Sequence, residues 1–312
     1  MAVTITPAIA DPLDPATTPA ERTERARRSR VRALVMFPLS FALVALLWEA
    51  YKAVGPTRGG EILGFKLLPR TGAREMPHVW DMITRLGDPE TGPGTPNIAG
   101  VVARATWYSF RVALAAFVLG VIIGVVLAVL MSRFKVVERA LMPYLVISQT
   151  IPIIGIAPVL VFVLASWSRD LGDQKWIAAC LLGAFLAFFP VTIGTLRGLK
   201  SAAPESVELM DSYAAGWWKT LIKLRLPASA TFVAPSLRLA GAAAVIGVVV
   251  SEISVKINQG IGQLVLLYGQ LTSSDPTKLF TAVFGAAVLG LAMSALVVGL
   301  EKLMLRSRPE GQ

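Results

Sequence analysis

Six apolar runs punctuate the chain, at residues 33–54, 107–131, 141–164, 176–196, 235–253 and 279–303, with polar stretches between them. Each is near the ~20 residues an α-helix needs to cross ~30 Å of hydrocarbon. A helix satisfies its own backbone polar groups where no water can. The pattern predicts an all-α polytopic membrane protein of about six transmembrane helices. The first run is too long for a signal-peptide core and follows a long tail, so it reads as a retained helix. The second has an amphipathic lead-in from Ile98 and carries Gly120 and Gly124, a spacing that lets helices approach closely. The third holds Pro143, Pro152 and Pro158. Each proline removes a backbone donor, which predicts an interrupted helix buried among others rather than facing lipid.

Residues 1–32 read as a disordered basic N-terminal tail ending in ERTERARRSRVR. Residues 55–100, rich in Gly and Pro, read as an extracytoplasmic loop with a short helix around 77–86. Residues 254–278 read as a second outer segment, in which KINQGIGQLVLLYGQ forms a short amphipathic helix. Seventeen Lys and Arg fall in segments placed inside and nine in those placed outside. Cations favour the cytoplasmic side of short loops, so the expected topology is N-in and C-in, with 304–312 a cytoplasmic tail.

Composition agrees. The chain is 54% hydrophobic and 16% charged, against about 25% charged in soluble domains. The net charge of +10 comes mostly from Lys and Arg beside apolar runs, where anionic headgroups meet them. No aromatic-basic motif points to nucleic acid. The single cysteine, Cys180, lies in an apolar run and reads as a small buried side chain; it can form neither an internal disulfide nor a paired-thiol metal site. The single histidine, His78, has no legible set of partners. There is no GxxxxGK[ST] phosphate loop, no HExxH and no Ser or Cys nucleophile motif. No metal, cofactor or catalytic residue is expected.

The most informative stretch is ESVELMDSYAAGWWKTLIKLRLPASATFVAP, residues 205–235. Val207, Met210, Ala214, Trp217 or Trp218 and Leu221 recur at helical steps, and Pro227 is expected to end that helix. Such a helix between two spans either lies on the membrane, with Trp217, Trp218, Lys219 and Lys223 at the interface, or offers a knob to another protein.

The segment 205–227 resembles the EAA loop of permease subunits of binding-protein-dependent ATP-binding-cassette importers. Anchored on Leu226 and Pro227, the register puts Glu208 on the loop's Glu, Leu209 and Met210 on its two Ala, Ala214 on its Gly and Leu224 on its Ile. Leu209 and Met210 depart from the pattern, and the nearest glycine, Gly216, comes two residues late. QTIPIIGIAPVLVF (149–162), FFPVTIGTLRGLK (188–200), the helix through VVVSEI and GIG (260–262) resemble the nitrate, sulfonate and taurine branch, nearest to permeases for the thiamine pyrimidine precursor or riboflavin. The resemblance implies a permease domain over 101–303 in a prokaryotic cell membrane. It also implies a second permease copy, a cytoplasmic ATPase dimer to which the loop couples, and an extracytoplasmic substrate-binding protein. ATP hydrolysis would belong to the ATPase. A vitamin-precursor heterocycle is the first expected solute, then an aliphatic sulfonate, taurine or nitrate.

Other polar positions leave alternatives. Gln149, Thr150 and Pro152 in the broken helix line a path or bond helix to helix; Thr192 and Thr195 are weaker candidates of the same kind. Glu252, at membrane depth, lines or gates a path or sits at the interface. Arg238 reads as snorkelling to headgroups or the loop. A secondary transporter would need carboxylates for ion coupling, with Glu49 and Glu252 the available ones.

Overall fold

The computed structural model describes residues 19–57, 60–62, 65–68, 70–167, 170 and 174–306, with side chains of 19–35, 37, 61–69, 305 and 306 outside the description. It divides into two compact units, residues 1–79 and 80–312. The tail expected over residues 1–18 lies outside the described residues.

In the first unit, α1 (Pro19–Val54) takes in both residues 19–32, expected in the tail, and the first apolar run. Leu43, Val44, Leu46 and Leu47 on it are exposed, as lipid-facing side chains would be. A small ribbon follows: β1 (Gly60–Ile62) pairs antiparallel with β2 (Phe65–Leu68). Glu49 holds the segment after it. Its carboxylate accepts the Val79 backbone N–H at 2.7 Å and lies 2.8 Å from His78 Nδ1. His78 therefore has a partner that its sequence neighbours did not disclose.

The second unit is a helical bundle. Its elements are α2 (Val79–Arg85), α3 (Ile98–Arg133), α4 (Lys135–Ser148), α5 (Ile153–Trp167), α6 (Lys175–Leu199), α7 (Pro204–Ser212), α8 (Trp217–Thr220), a π-helical turn (Leu221–Arg225), α9 (Leu226–Val255), α10 (Ile261–Gln270) and α11 (Pro276–Arg306). Among the described residues, α3, α6, the continuous stretch Trp217–Val255 and α11 are long and apolar enough to cross a membrane, and α4 with α5 gives up to a fifth span. The chain is an all-α polytopic membrane protein apart from its small ribbon.

Small residues set the packing. α3, α6, α9 and α11 meet around Ala113, Ala116, Ala179, Ala187, Ala240 and Ala244, with Phe117, Val248 and Met293 filling the gaps and Cys180 buried among them. A Cβ on Gly247 would sit 2.7 Å from Gly183 Cα, so α6 and α9 cross backbone to backbone. Gly120 and Gly124 do the same for α3, against Ala187 and Val191 of α6. Between apolar helices in lipid, such close approach is a main source of attraction.

Two expectations are corrected. The third apolar run is interrupted, as its prolines imply, into two helices bent by 108° at Gln149–Pro152, but it is not buried among the other helices: only Leu145, Ala157 and Leu164 on the two are buried, and Ile154, Val159 and Phe162 are exposed. Pro143 and Pro158 stay inside their helices. And Pro227 does not end a helix. It lies in the first turn of α9, where a missing N–H is tolerated, and the π turn ahead of it carries the chain on, with the Leu226 N–H donating to the Leu221 carbonyl. The fifth span thus runs from Trp217, far earlier than residue 235.

Candidate functional site

At one end of the bundle, α7 projects with no buried residue. Pro204 opens it, with Glu205 in its first turn, where a carboxylate suits the helix dipole. Glu208, a turn further on, makes no hydrogen bond or ion pair among the described residues. Leu209 is 56% and Tyr213 76% exposed, while Met210 is half-buried. The helix ends in a Schellman turn. The Ala215 N–H reaches back to the Met210 carbonyl and the Ala214 N–H to the Asp211 carbonyl, both at 2.9 Å. Ala214 occupies the left-handed position of that turn, with φ 51°, where glycine is usual. This is the residue that the EAA register aligns with glycine. Gly216 takes an ordinary φ of −60° as the residue capping α8, and a side chain there would meet open space. The glycine displaced by two residues is therefore no substitute for the aligned one.

Beyond the turn the segment is anchored. Leu221 and Thr220 are buried, and the Arg133 guanidinium lies 5.3 Å from the Trp217 ring centre, which also meets Trp218 edge-on. Leu224 is half-buried in the π turn; Leu226 and Pro227 are exposed. The structure thus has a fixed stem and an uncovered helix carrying Glu208, Leu209 and Tyr213.

The broken helix places Gln149, Thr150 and Pro152 together and exposed at its bend, with the Thr150 hydroxyl donating to the Ile147 carbonyl at 2.8 Å. It does not bring Thr192 or Thr195 to them. Thr192 is fully buried and its hydroxyl donates to the Phe188 carbonyl of its own helix; Thr195 is buried beside it. Arg238, expected to snorkel, pairs with Glu301 of α11 at 2.6 Å.

At the opposite end, Glu252 of α9 is fully buried. One carboxylate oxygen accepts the Ser109 hydroxyl of α3 at 2.6 Å; the other accepts the Gly262 N–H at 2.9 Å. The Ser109 oxygen accepts the Ile261 N–H at 2.9 Å. Glu252 thus caps α10 from a neighbouring helix, supplying acceptors that a helix start lacks. Gly260 and Gly262 are required because a Cβ on Gly260 would collide with the carboxyl and one on Gly262 would crowd it. The carboxylate joins three helices and is not among the residues lining the clefts between α3 and α11, between α3 and the 256–260 turn, or between α9 and α11.

Two ion clusters lie near α10. Arg85 pairs with Asp275 at 2.8 Å, Lys278 with Asp275 at 3.7 Å, and the Tyr268 hydroxyl donates to Glu90 at 2.8 Å. Burial disfavours the Asp275 charge, but hydrogen bonds from Arg85 and Thr277 and the nearby cations outweigh it and hold the carboxyl below its usual range. Between α3 and the 256–260 turn, a cleft of about 400 Å³ holds Arg104 and Arg111 with Tyr108, Asn258 and Gln259. No motif in the sequence marks Arg104 or Arg111; their spacing of seven residues, two helical turns, was the available signal.

Residues 120–306 match the model of the binding-protein-dependent transport system inner membrane component family. The chain belongs to this family. It is 33% identical over 189 residues to the formylaminopyrimidine transport permease protein ThiX of Halalkalibacterium halodurans, which covers 60% of this chain and 70% of the relative. It is 27% identical over 175 residues to the riboflavin transport system permease protein RibX of Chloroflexus aurantiacus, covering 56% of this chain and 61% of that one. The matched span takes in α7, the Schellman turn, Glu252 and the GIG turn. The chain is thus an integral membrane permease of a binding-protein-dependent importer, a transport subunit by family.

Proposed function

We propose that this permease passes a small organic solute across a prokaryotic cell membrane and draws its energy from separate cytoplasmic ATPases through residues 205–227. The observation that carries the reading is α7. A helix with no buried side chain, presenting Leu209, Tyr213 and an unpaired Glu208, is unstable as an isolated surface element and gains its burial from a partner. The stem at Leu221 and Trp217 would transmit a push on α7 straight into the span Trp217–Val255. Glu208 pairs with a cation of the ATPase, Leu209 and Met210 pack into its groove, and the small Ala214 and Gly216 permit close approach. Leu224, Leu226 and Pro227 form the transmitting stem.

The working unit is a permease homodimer with two ATPases and an extracytoplasmic binding protein, in the N-in, C-in orientation. The bend at Gln149, Thr150 and Pro152 borders the path. Thr192 and Glu252 act behind it, as packing and capping groups. The solute is a heterocycle of the thiamine-precursor or riboflavin kind, in keeping with the names of two relatives, or else an anion of the aliphatic sulfonate, taurine or nitrate class. The test is uptake by Glu208→Arg and Ala214→Trp variants, with membrane insertion measured alongside. Loss of uptake with normal insertion is expected; normal uptake by both variants contradicts the coupling assignment.

A further inference from the structure

α3 is 36 residues, yet its uncharged apolar stretch begins only after Arg111 and runs from Val112 to Met131. That stretch alone spans ~30 Å at 1.5 Å per residue. Residues 98–111 therefore stand clear of the hydrocarbon as a polar-faced extension, on the side that the proposed orientation makes extracytoplasmic. Arg104 and Arg111 lie seven residues apart on one face, both exposed, and both border the cleft of about 400 Å³. Neither makes a hydrogen bond or ion pair among the described residues. The remaining polar wall is neutral: the Tyr108 hydroxyl and the Asn258 and Gln259 amides, with Trp107 as an aromatic side. No carboxylate lines the cleft, and Glu252 is fully buried with its oxygens already taken by Ser109 and Gly262. The cleft thus presents two uncompensated guanidinium groups, fork-shaped donors suited to an oxyanion, flanked by amide donors and a ring.

We infer that this cleft is a subsite at the outer mouth of the permease for the oxyanion of a solute, a carboxylate, sulfonate or phosphate group, held by Arg104 and Arg111. The inference rests on the importer reading for its purpose but not for its measurement. A headgroup phosphate offers the same chemistry, so the lipid must be varied.

Val101, on the cleft wall, is replaced by cysteine in the full chain in nanodiscs of zwitterionic lipid; Cys180 is buried and sets the background. The new thiolate attacks a methanethiosulfonate, forming a mixed disulfide and releasing methanesulfinate. Rates are compared for an anionic sulfonatoethyl, a cationic trimethylammonioethyl and a neutral methyl reagent, each relative to a free thiol. The anionic reagent should lead the cationic one by about tenfold, as two nearby cations in a partly aqueous site imply. The lead should vanish in Arg104→Gln/Arg111→Gln, persist in Arg104→Lys/Arg111→Lys, and leave the neutral rate unchanged. Millimolar ethanesulfonate should slow the neutral reagent where formamide does not. A ratio near one in the parent, or one that survives Arg→Gln, overturns the subsite. A lead abolished by anionic phosphatidylglycerol assigns the cleft to lipid and also overturns it. None of these rates depends on ATP or uptake, so a failed coupling test and a failed subsite are separate results.

Discussion

The Glu252 carboxylate accepts the Gly262 backbone N–H at 2.9 Å across two helices. With the Ser109 hydroxyl on its other oxygen, the residue ties α3 and α9 to the start of α10. Removing it strands a buried hydroxyl and a helix-terminal N–H. Glu252→Ala is therefore expected to cost about 3 kcal/mol, read as thermal unfolding of the purified permease. Glu252→Gln keeps an acceptor and should cost less than half as much. Gly260→Ala should be destabilising too, because its Cβ would strike the carboxyl. Wild-type stability in Glu252→Ala would remove the capping role.

The α6–α9 crossing gives a second prediction. Gly247 and Gly183 are in backbone contact, and neither backbone is free to give way. Gly247→Ala should cost about 2 kcal/mol by overpacking, and Gly247→Leu should prevent a monodisperse peak in size-exclusion chromatography. Gly290, where an added Cβ meets open space, should accept Ala with no change in that profile.

Ala214 supplies a third. An L-residue held at φ 51° bears a left-handed penalty of about 1 kcal/mol that glycine avoids. Ala214→Gly should slow hydrogen exchange at Ala215, whose N–H closes the turn, and leave uptake intact. Ala214→Val should do the reverse.

Much of this was legible in the chain. The span helices α3, α6 and α11 could be read because hydrocarbon demands long uncharged runs, and the glycine spacing on α3 marked a close helix contact, though not that α6 makes it. Glu252 and the glycines 260 and 262 were visible in the chain, but not their connection: only folding brings the Gly262 N–H and Ser109 of α3 to the carboxylate. Two features escaped. Three prolines announced a break in the third run without saying which would bend it; Leu145 packs α4 against Met131 and Leu196, and that contact is long-range. Pro227 looked like a stop because proline removes a helical hydrogen bond. A π turn placed just before it moves the pairing by one residue, and nothing local in Leu221–Arg225 advertises that.

The Arg85–Asp275 pair gives a pH prediction. The folded Asp275 carboxyl is held below its usual range, so the pair adds stability above the unfolded value and loses it as pH falls through the folded one. At neutral pH Asp275→Asn should cost about 1–2 kcal/mol. The gap between variant and wild type should stay level down to about pH 5 and close below about pH 4. A gap that widens on acidification would give the pair the wrong sign.

The most direct test is to purify the permease in mild detergent from native membranes and measure which soluble ATPase accompanies it and its activity. A co-purifying ATPase is expected, lost together with its activity in Glu208→Arg and Ala214→Trp while the permease itself remains folded. A permease recovered without ATPase from cells that import normally would contradict it.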